Sequence, residues 1–176
     1  MEKISVVYPI GKFSPIKTYN DALIKEWITE IETLPNRFFI CVKDLSDSDL
    51  DKPLRKGAWS IRQLVHHMAD SHHHSYTRFK WTLTEPEPLI KAYDQVAWSV
   101  LGDSDAPVQL SLDHLSAVHG KWVYLLNSMN PEGFSKCFKH PDSVEIQNLF
   151  NTLGAYAWHG NHHLQQIKNA LKHKEE

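Results

Sequence analysis

Apolar residues recur at steps of three and four along most of this chain, and four such stretches dominate it. The first carries Leu23, Ile24, Trp27, Ile28, Ile31 and Leu34. Pro35 has no amide proton and crowds the preceding turn, so it should kink or end this helix, with Arg37 to Val42 free to continue beyond it. Asp44 to Lys56, rich in Asp, Ser and Lys and holding Pro53, reads as a loop that runs to Gly57. Ser60 is placed to cap the second helix, with Gln63 as its reciprocal partner. Ile61, Leu64, Val65, Met68, His72 and Phe79 keep the helical period as far as Leu83, and Glu85-Pro86-Glu87-Pro88 stops it. A short helix fits within Ala92 to Leu101. Leu112, Leu115, Val118, Trp122, Leu125 and Leu126 share one face of a third long helix over Ser111 to Met129, ended by Asn130-Pro131-Glu132-Gly133. His140-Pro141-Asp142-Ser143 reads as a turn, and a last helix runs from Ile146 to Leu171.

Four long helices with almost no alternating pattern predict an all-α protein, a four-helix bundle. Neither a low-complexity linker nor an internal repeat divides the chain, so residues 1–176 read as one domain. Its opening, 1–17, includes Tyr8-Pro9-Ile10-Gly11-Lys12-Phe13 and reads as an extended arm. Two long connections leave the order of the helices around the bundle open.

Composition narrows the function. At 176 residues, 41% hydrophobic and 23% charged, the chain can bury an ordinary core. Its net charge of −2 argues against a nucleic-acid partner. No apolar run approaches the roughly 20 residues that span a bilayer, so no membrane role is expected. The N-terminal residues lack the features of a secretory signal, and the expected location is the cytoplasm. Cys41 and Cys137 form no paired motif and read as buried structural thiols, not as a disulfide framework.

Histidine changes the picture. Five of the twelve lie between His66 and His74, and three between His159 and His163. Neutral imidazole is the commonest metal ligand, so the clustering matters more than the count. The last helix has an apolar stripe of Leu149, Leu153, Tyr156, Gly160, Ile167 and Leu171. At about 100° per residue, His163 lies about 40° from the centre of that stripe and His159 about 80°, while His162 lies about 140° away, toward solvent. His159 and His163 are therefore inward neighbours at i,i+4, a spacing that can chelate one ion from a single helix. On the second helix, His72 lies near the apolar centre and His67 about 130° from it, on the flank. Periodicity alone nominates His72 as the inward histidine there and leaves the ligand set incomplete.

The stretches Gly57-Ala58-Trp59-Ser60-Ile61-Arg62-Gln63-Leu64-Val65-His66-His67-Met68-Ala69-Asp70-Ser71-His72 and Ala157-Trp158-His159-Gly160-Asn161-His162-His163 resemble the DinB/YfiT-like superfamily. They are most similar to its YfiT branch, whose members are described as metal-dependent hydrolases. The arm Tyr8 to Phe13, the stretch Tyr76 to Lys80 and His140-Pro141 resemble that branch too; Ala58 departs from it, standing where glycine is expected. The resemblance implies a four-helix bundle holding one divalent metal on three histidines. Its first ligand is the histidine before Met68-Ala69-Asp70, which is His67; the others are His159 and His163.

Three neutral imidazoles leave a metal its full charge and an open position, the pattern of a catalytic site. A water held there becomes a nucleophile near neutral pH, giving a hydrolase. A thiolate held there gives a thiol S-transferase, and relatives in the superfamily are thought to use low-molecular-weight thiols such as bacillithiol. A third reading is a non-catalytic metal-binding dimer module. Zinc suits three imidazoles best, and nickel and iron also accept them. Proton competition with unperturbed imidazoles would release the metal below about pH 6 to 7. Candidates to support the ligands are His66, Asp70 and His162; solvent exposure is the plainer account of His66 and His162, and Asp70 either supports a histidine or faces solvent. Arg78 is the candidate to bind a substrate carboxylate, against an ordinary surface salt bridge. No general base is evident, and Asp142 and Glu145 have no assigned place. Trp27, Trp81, Trp98 and Trp122 exceed what one small core obviously needs, which suggests a homodimer.

Overall fold

A computed structural model of the chain describes residues 7–172. Its helices are α1 (Asp21–Val42), α2 (Asp47–Leu50), α3 (Ile61–Thr84), α4 (Gln95–Trp98), α5 (Val108–Ser128), α6 (Pro131–Ser135) and α7 (Leu149–Lys172). A two-residue strand, β1 (Cys137–Phe138), pairs antiparallel with β2 (Gln147–Asn148), and a 3-10 turn spans Gly102–Asp105. The long helices α1, α3, α5 and α7 form a four-helix bundle. α1 packs against α5 and α7, and α3 packs against the same two. Helices α1 and α3, consecutive among the long four, therefore lie across a diagonal, as do α5 and α7. The long connections make those diagonal crossings, so this is not an up-and-down bundle of adjacent hairpins.

Local sequence accounts for the helix ends. The Asn20 side chain accepts from the amides of Ala22 and Leu23 and starts α1. Ser60 and Gln63 form the reciprocal capping box of α3. Asn130, placed as part of a helix stop, follows the end of α5 as expected and also caps the short α6 by accepting from Gly133. α1 does not end at Pro35; it continues because Phe38 and Val42, one and two turns beyond Leu34, are buried in the same apolar cluster. Burial of that size outweighs the roughly 3 kcal/mol that an interior proline costs. The loop after α1 holds α2, whose Asp47, with Asp51 just beyond it, is ion-paired to the buried Arg62 of α3. The last helix begins three residues later than its apolar pattern suggested, because Gln147 and Asn148 are drawn into pairing with β1.

The core has two apolar blocks. One gathers Leu34, Phe38, Leu64, Met68, Leu115 and Ile167. The other gathers Ile28, Ile31, Phe79, Trp122, Phe150 and Leu153. Between them α3 contributes His72 and Ser75 and α5 contributes His119, all buried. Of the tryptophans expected to support self-association, Trp122 is fully buried and Trp27 packs over Phe150 and Gly154, so both are used inside the bundle. Trp98 is packed on Tyr93 and His74. Among the described residues no helix is long and apolar enough to cross a membrane.

The arm runs antiparallel along α7. Gln166 Nε2 donates to the Val7 carbonyl, Trp158 Nε1 to that of Gly11, and Asn151 exchanges two hydrogen bonds with the backbone of Ile16. Gly11, at φ +76°, closes a turn onto Tyr8. Residues 1–6 of the expected arm lie outside the described residues.

Two glycines test the packing in opposite directions. A Cβ at Gly160 of α7 would stand 2.3 Å from Leu34 Cδ2, whereas at Gly120 of α5 it would meet nothing within 4 Å. Gly160→Ala should destabilise the fold by about 1–3 kcal/mol through overpacking. Gly120→Ala should stabilise it by about 0.5–1 kcal/mol through helix propensity. Thermal unfolding of the two variants beside the parent reads both signs.

Candidate metal centre

His159 and His163 project from successive turns of α7, and His67 faces them from α3. Suitable ring nitrogens of the three lie within 4.8 Å of one another, a spacing at which one ion can be held. His163 Nε2 is 3.0 Å from His159 Nε2, which is 3.4 Å from His67 Nε2. The Trp59 ring packs on His67, with centroids 4.9 Å apart. That contact explains how a histidine on the flank of α3's stripe comes to be buried: the loop before the helix supplies a second apolar wall.

His163 has a fixed proton. Gln166 Nε2 faces the Val7 carbonyl, which can only accept, so Gln166 Oε1 faces His163 Nδ1 at 2.9 Å and accepts a hydrogen bond from its N–H. The neutral ring then presents a lone pair at Nε2, toward the other two. Burial depresses the pKa of His67 to about 4 and that of His163 to about 3, the latter helped by the nearby His67. His159 is held well below the ordinary value by burial and by the neighbouring His163, His67, His72 and His162. All three rings are therefore neutral at pH 7, the state that binds metal.

The other histidines occupy distinct places. His72, the inward residue by periodicity, is fully buried, but it stands behind His159, its Nε2 3.3 Å from His159 Nδ1. His72 Nδ1 in turn lies 2.8 Å from His119 Nε2. His66 is buried, not solvated, and bonds Ser111 Oγ and the Ala106 carbonyl at the start of α5. His162 is also buried, not turned to solvent, because the arm lays Tyr8 beside it and Trp158 stacks on it. Asp70 shares a crevice with His67 and Gln95, and burial together with Asp103 raises its pKa. Among the described residues no hydrogen bond joins Asp70, His66 or His162 to His67, His159 or His163. His73 pairs with His114, and His74 donates to the Asp70 carbonyl. Gln166, His72 and His119 are the partners that sequence reasoning did not assign. His119 was legible as a polar residue on α5's buried face, between Leu115 and Trp122.

Two clefts open on the cluster. One, of about 430 Å³, reaches His163 past Trp59, Ala58 and Arg55. The other, of about 340 Å³, reaches His159 past Arg78, Tyr156, Tyr93 and His140. Gln95 of α4 borders both. Arg78 is half-buried and makes no ion pair among the described residues. One guanidinium nitrogen donates to Tyr156 Oη at 3.2 Å, and its buried Nε has no partner. The Asp142 amide donates to His140 Nδ1, so a neutral His140 carries its proton on Nε2. Burial raises the Tyr93 pKa to about 12, which keeps that hydroxyl protonated. This cleft is thus rich in donors. Asp142 has a place after all, at its rim. Cys41 and Cys137 are free and only partly buried, and burial raises both thiol pKa values, which makes them poor nucleophiles.

Known proteins resemble this chain in sequence and fold. The chain is 47% identical over 160 residues to a Bacillus mycoides protein named "Putative metal-dependent hydrolase", covering 91% of this chain and 92% of that one. It is 46% identical to a Bacillus cereus protein of the same description, covering 94% and 95%. The solved structure of YfiT from Bacillus subtilis, described as a probable metal-dependent hydrolase with an unusual four-helix bundle topology, superposes with a TM-score of 0.94 at 42% identity, over 97% of this chain and 98% of that one. A further four-helix bundle protein, TT2238, shares the fold at a TM-score of 0.57 and 19% identity. Residues 30–167 match the model of the DinB superfamily, and with these relatives they place the chain in that family.

Proposed function

We propose that His67, His159 and His163 bind one divalent metal, zinc first and nickel or iron as alternatives, and that the protein is a hydrolase of a small anionic substrate. The observation that carries this is the convergence of three neutral imidazole nitrogens at the meeting of two clefts. A bound divalent ion supplies Lewis acidity, lowering the pKa of a coordinated water to about 7. Gln166 and His72, the partners of His163 and His159, are neutral, so the surroundings do not offset the charge of the ion. Arg78, with an unpartnered Nε, and the Nε2–H of His140 orient an oxyanion of the substrate beside His159. Tyr93 and Tyr156 wall the same cleft.

A second reading is a metal-dependent thiol S-transferase. It is favoured by the two separate clefts, since a transferase must seat a thiol and its acceptor together. Zinc-loaded protein mixed with an electrophilic substrate, with and without a low-molecular-weight thiol, separates the two. Turnover with water alone supports the hydrolase, and turnover only with thiol supports the transferase.

His67→Ala, His159→Ala and His163→Ala should each lose tight zinc binding, since each removes one of three ligands, and His162→Ala should retain it. Elemental analysis of the purified variants reads this directly. If His162→Ala and His163→Ala behave alike, the ligand assignment on α7 is wrong.

The pH window follows from burial. Protons displace the metal only as pH approaches the depressed values, about 4 for His67 and about 3 for His163. Zinc should therefore stay bound from pH 7 down to about pH 5 and be released below that, not at the 6 to 7 of unperturbed imidazoles. Dialysis at stepped pH followed by metal analysis checks this.

Arg78→Met should leave zinc content unchanged. It should lower kcat/KM at least about tenfold for carboxylated esters relative to neutral ones, the loss of one charge-assisted hydrogen bond. Equal losses on both classes of ester would remove Arg78 from substrate recognition.

A further inference from the structure

Behind His159 the histidines form a line. His159 Nδ1 lies 3.3 Å from His72 Nε2, His72 Nδ1 lies 2.8 Å from His119 Nε2, and His119 Nδ1 bonds the Ile31 carbonyl of α1. The line crosses the bundle from α7 through α3 and α5 to α1. His72 is fully buried and His119 nearly so.

The terminal partner sets the direction. A backbone carbonyl has no proton to give, so His119 Nδ1 must carry one and donate it. In a neutral ring that leaves His119 Nε2 as an acceptor. His72 must then donate from Nδ1, which leaves its Nε2 as an acceptor. His159 must donate from Nδ1, which leaves its Nε2 as a bare lone pair directed at His163 and His67. Reversing the direction requires a doubly protonated His119. Its ring nitrogens are bonded to His72 and the Ile31 carbonyl, with no carboxylate partner, so burying that cation is costly.

We infer that His72 and His119 are positioning residues: the Ile31 carbonyl, acting through them, holds His159 in its Nδ1–H tautomer and keeps Nε2 free to bind metal. This rests on the metal reading above and extends it to two residues that do not touch the ion. The Nδ1–H form is the less populated tautomer of free imidazole side chains in water, so the site does not acquire it by default. His163 reaches the same state through Gln166 and the arm. At 3.0 Å, the Nε2 atoms of His159 and His163 are then two lone pairs facing each other with no proton between them, an arrangement that a bound cation would satisfy. Because the line ends on a neutral carbonyl, it orients the ligand without adding the negative charge that a carboxylate partner would bring.

The test begins with metal-free protein. Long-range 1H–15N spectra of the histidine-labelled chain at pH 7 should show Nδ1–H tautomers for His119, His72 and His159. An Nε2–H tautomer at His72 or His159 overturns the inference. This measurement needs no metal, so it separates the fate of the relay from that of the site: if zinc does not bind the parent protein, the metal reading fails while the tautomers are still read. The second arm is zinc affinity by competition with a chelator. His119→Leu removes the acceptor for His72 two residues away from the ion. It frees His159 to take a proton on Nε2, and affinity should fall about 10–100-fold. His119→Gln keeps an amide oxygen in place and should restore most of that loss. Unchanged affinity in His119→Leu, or equal loss in both variants with matched thermal stability, overturns the inference. If the leucine variant does not fold, the parent spectra and the glutamine variant decide.

Discussion

A buried imidazole needs a partner for each of its two nitrogens, and this bundle has to meet that need several times over in one layer. His72 and His119 sit between two apolar blocks where water cannot serve them, so they bond each other, and the chain of bonds has to end on protein at both sides. It ends at the Ile31 carbonyl on one side and at His159 on the other. Each long helix of the bundle supplies one member of that line. A bundle whose helices were rotated by one residue would strand at least one nitrogen in the core, at a cost of about 1–3 kcal/mol. The polar layer therefore fixes the register of four helices at the level where the candidate metal site lies.

Close backbone approach places the other half of the site. Gly160, between His159 and His163, lies against Leu34 of α1, and Gly154 lies under Trp27 of the same helix. These contacts hold α7 tightly to α1 along one face. The neighbouring face, which carries His159 and His163, is thereby presented to α3 and to His67. The clustered histidines and the small residues interleave on one helix for this reason: one set sets the distance and the other uses it.

The arm is part of the same construction. Val7 accepts from Gln166, and that bond settles which end of the Gln166 amide meets His163. Tyr8 covers His162, and Gly11 accepts from Trp158. A segment without helix or strand thus reaches two positions on α7 that flank the histidine pair and supports one of them through a hydrogen bond. The open side of the three rings faces two clefts of unlike character. The one beside His159 is lined by donors, with a guanidinium nitrogen left unpartnered.

The apolar period alone determined the four long helices, and cap residues such as Ser60 and Gln63 determined where α3 begins, because both signals are local. The i,i+4 spacing put His159 and His163 on one face for the same reason. Periodicity also found His72 pointing inward, correctly, but it could not tell a buried histidine that supports another ring from one at the cluster itself. That difference depends on which residues α5 and α1 bring opposite, and no spacing within α3 contains it. His67 needed the family resemblance, since its flank becomes an interior only through residues outside α3, such as Trp59 of the preceding loop. The burial of His162 required the arm to fold back along α7, and the diagonal placing of α1 and α3 required the long connections to cross. The sequence by itself determined the elements and the chemistry they carry; tertiary structure decided which nitrogen faces which, because a hydrogen-bond direction is set by the partner at the far end of the line.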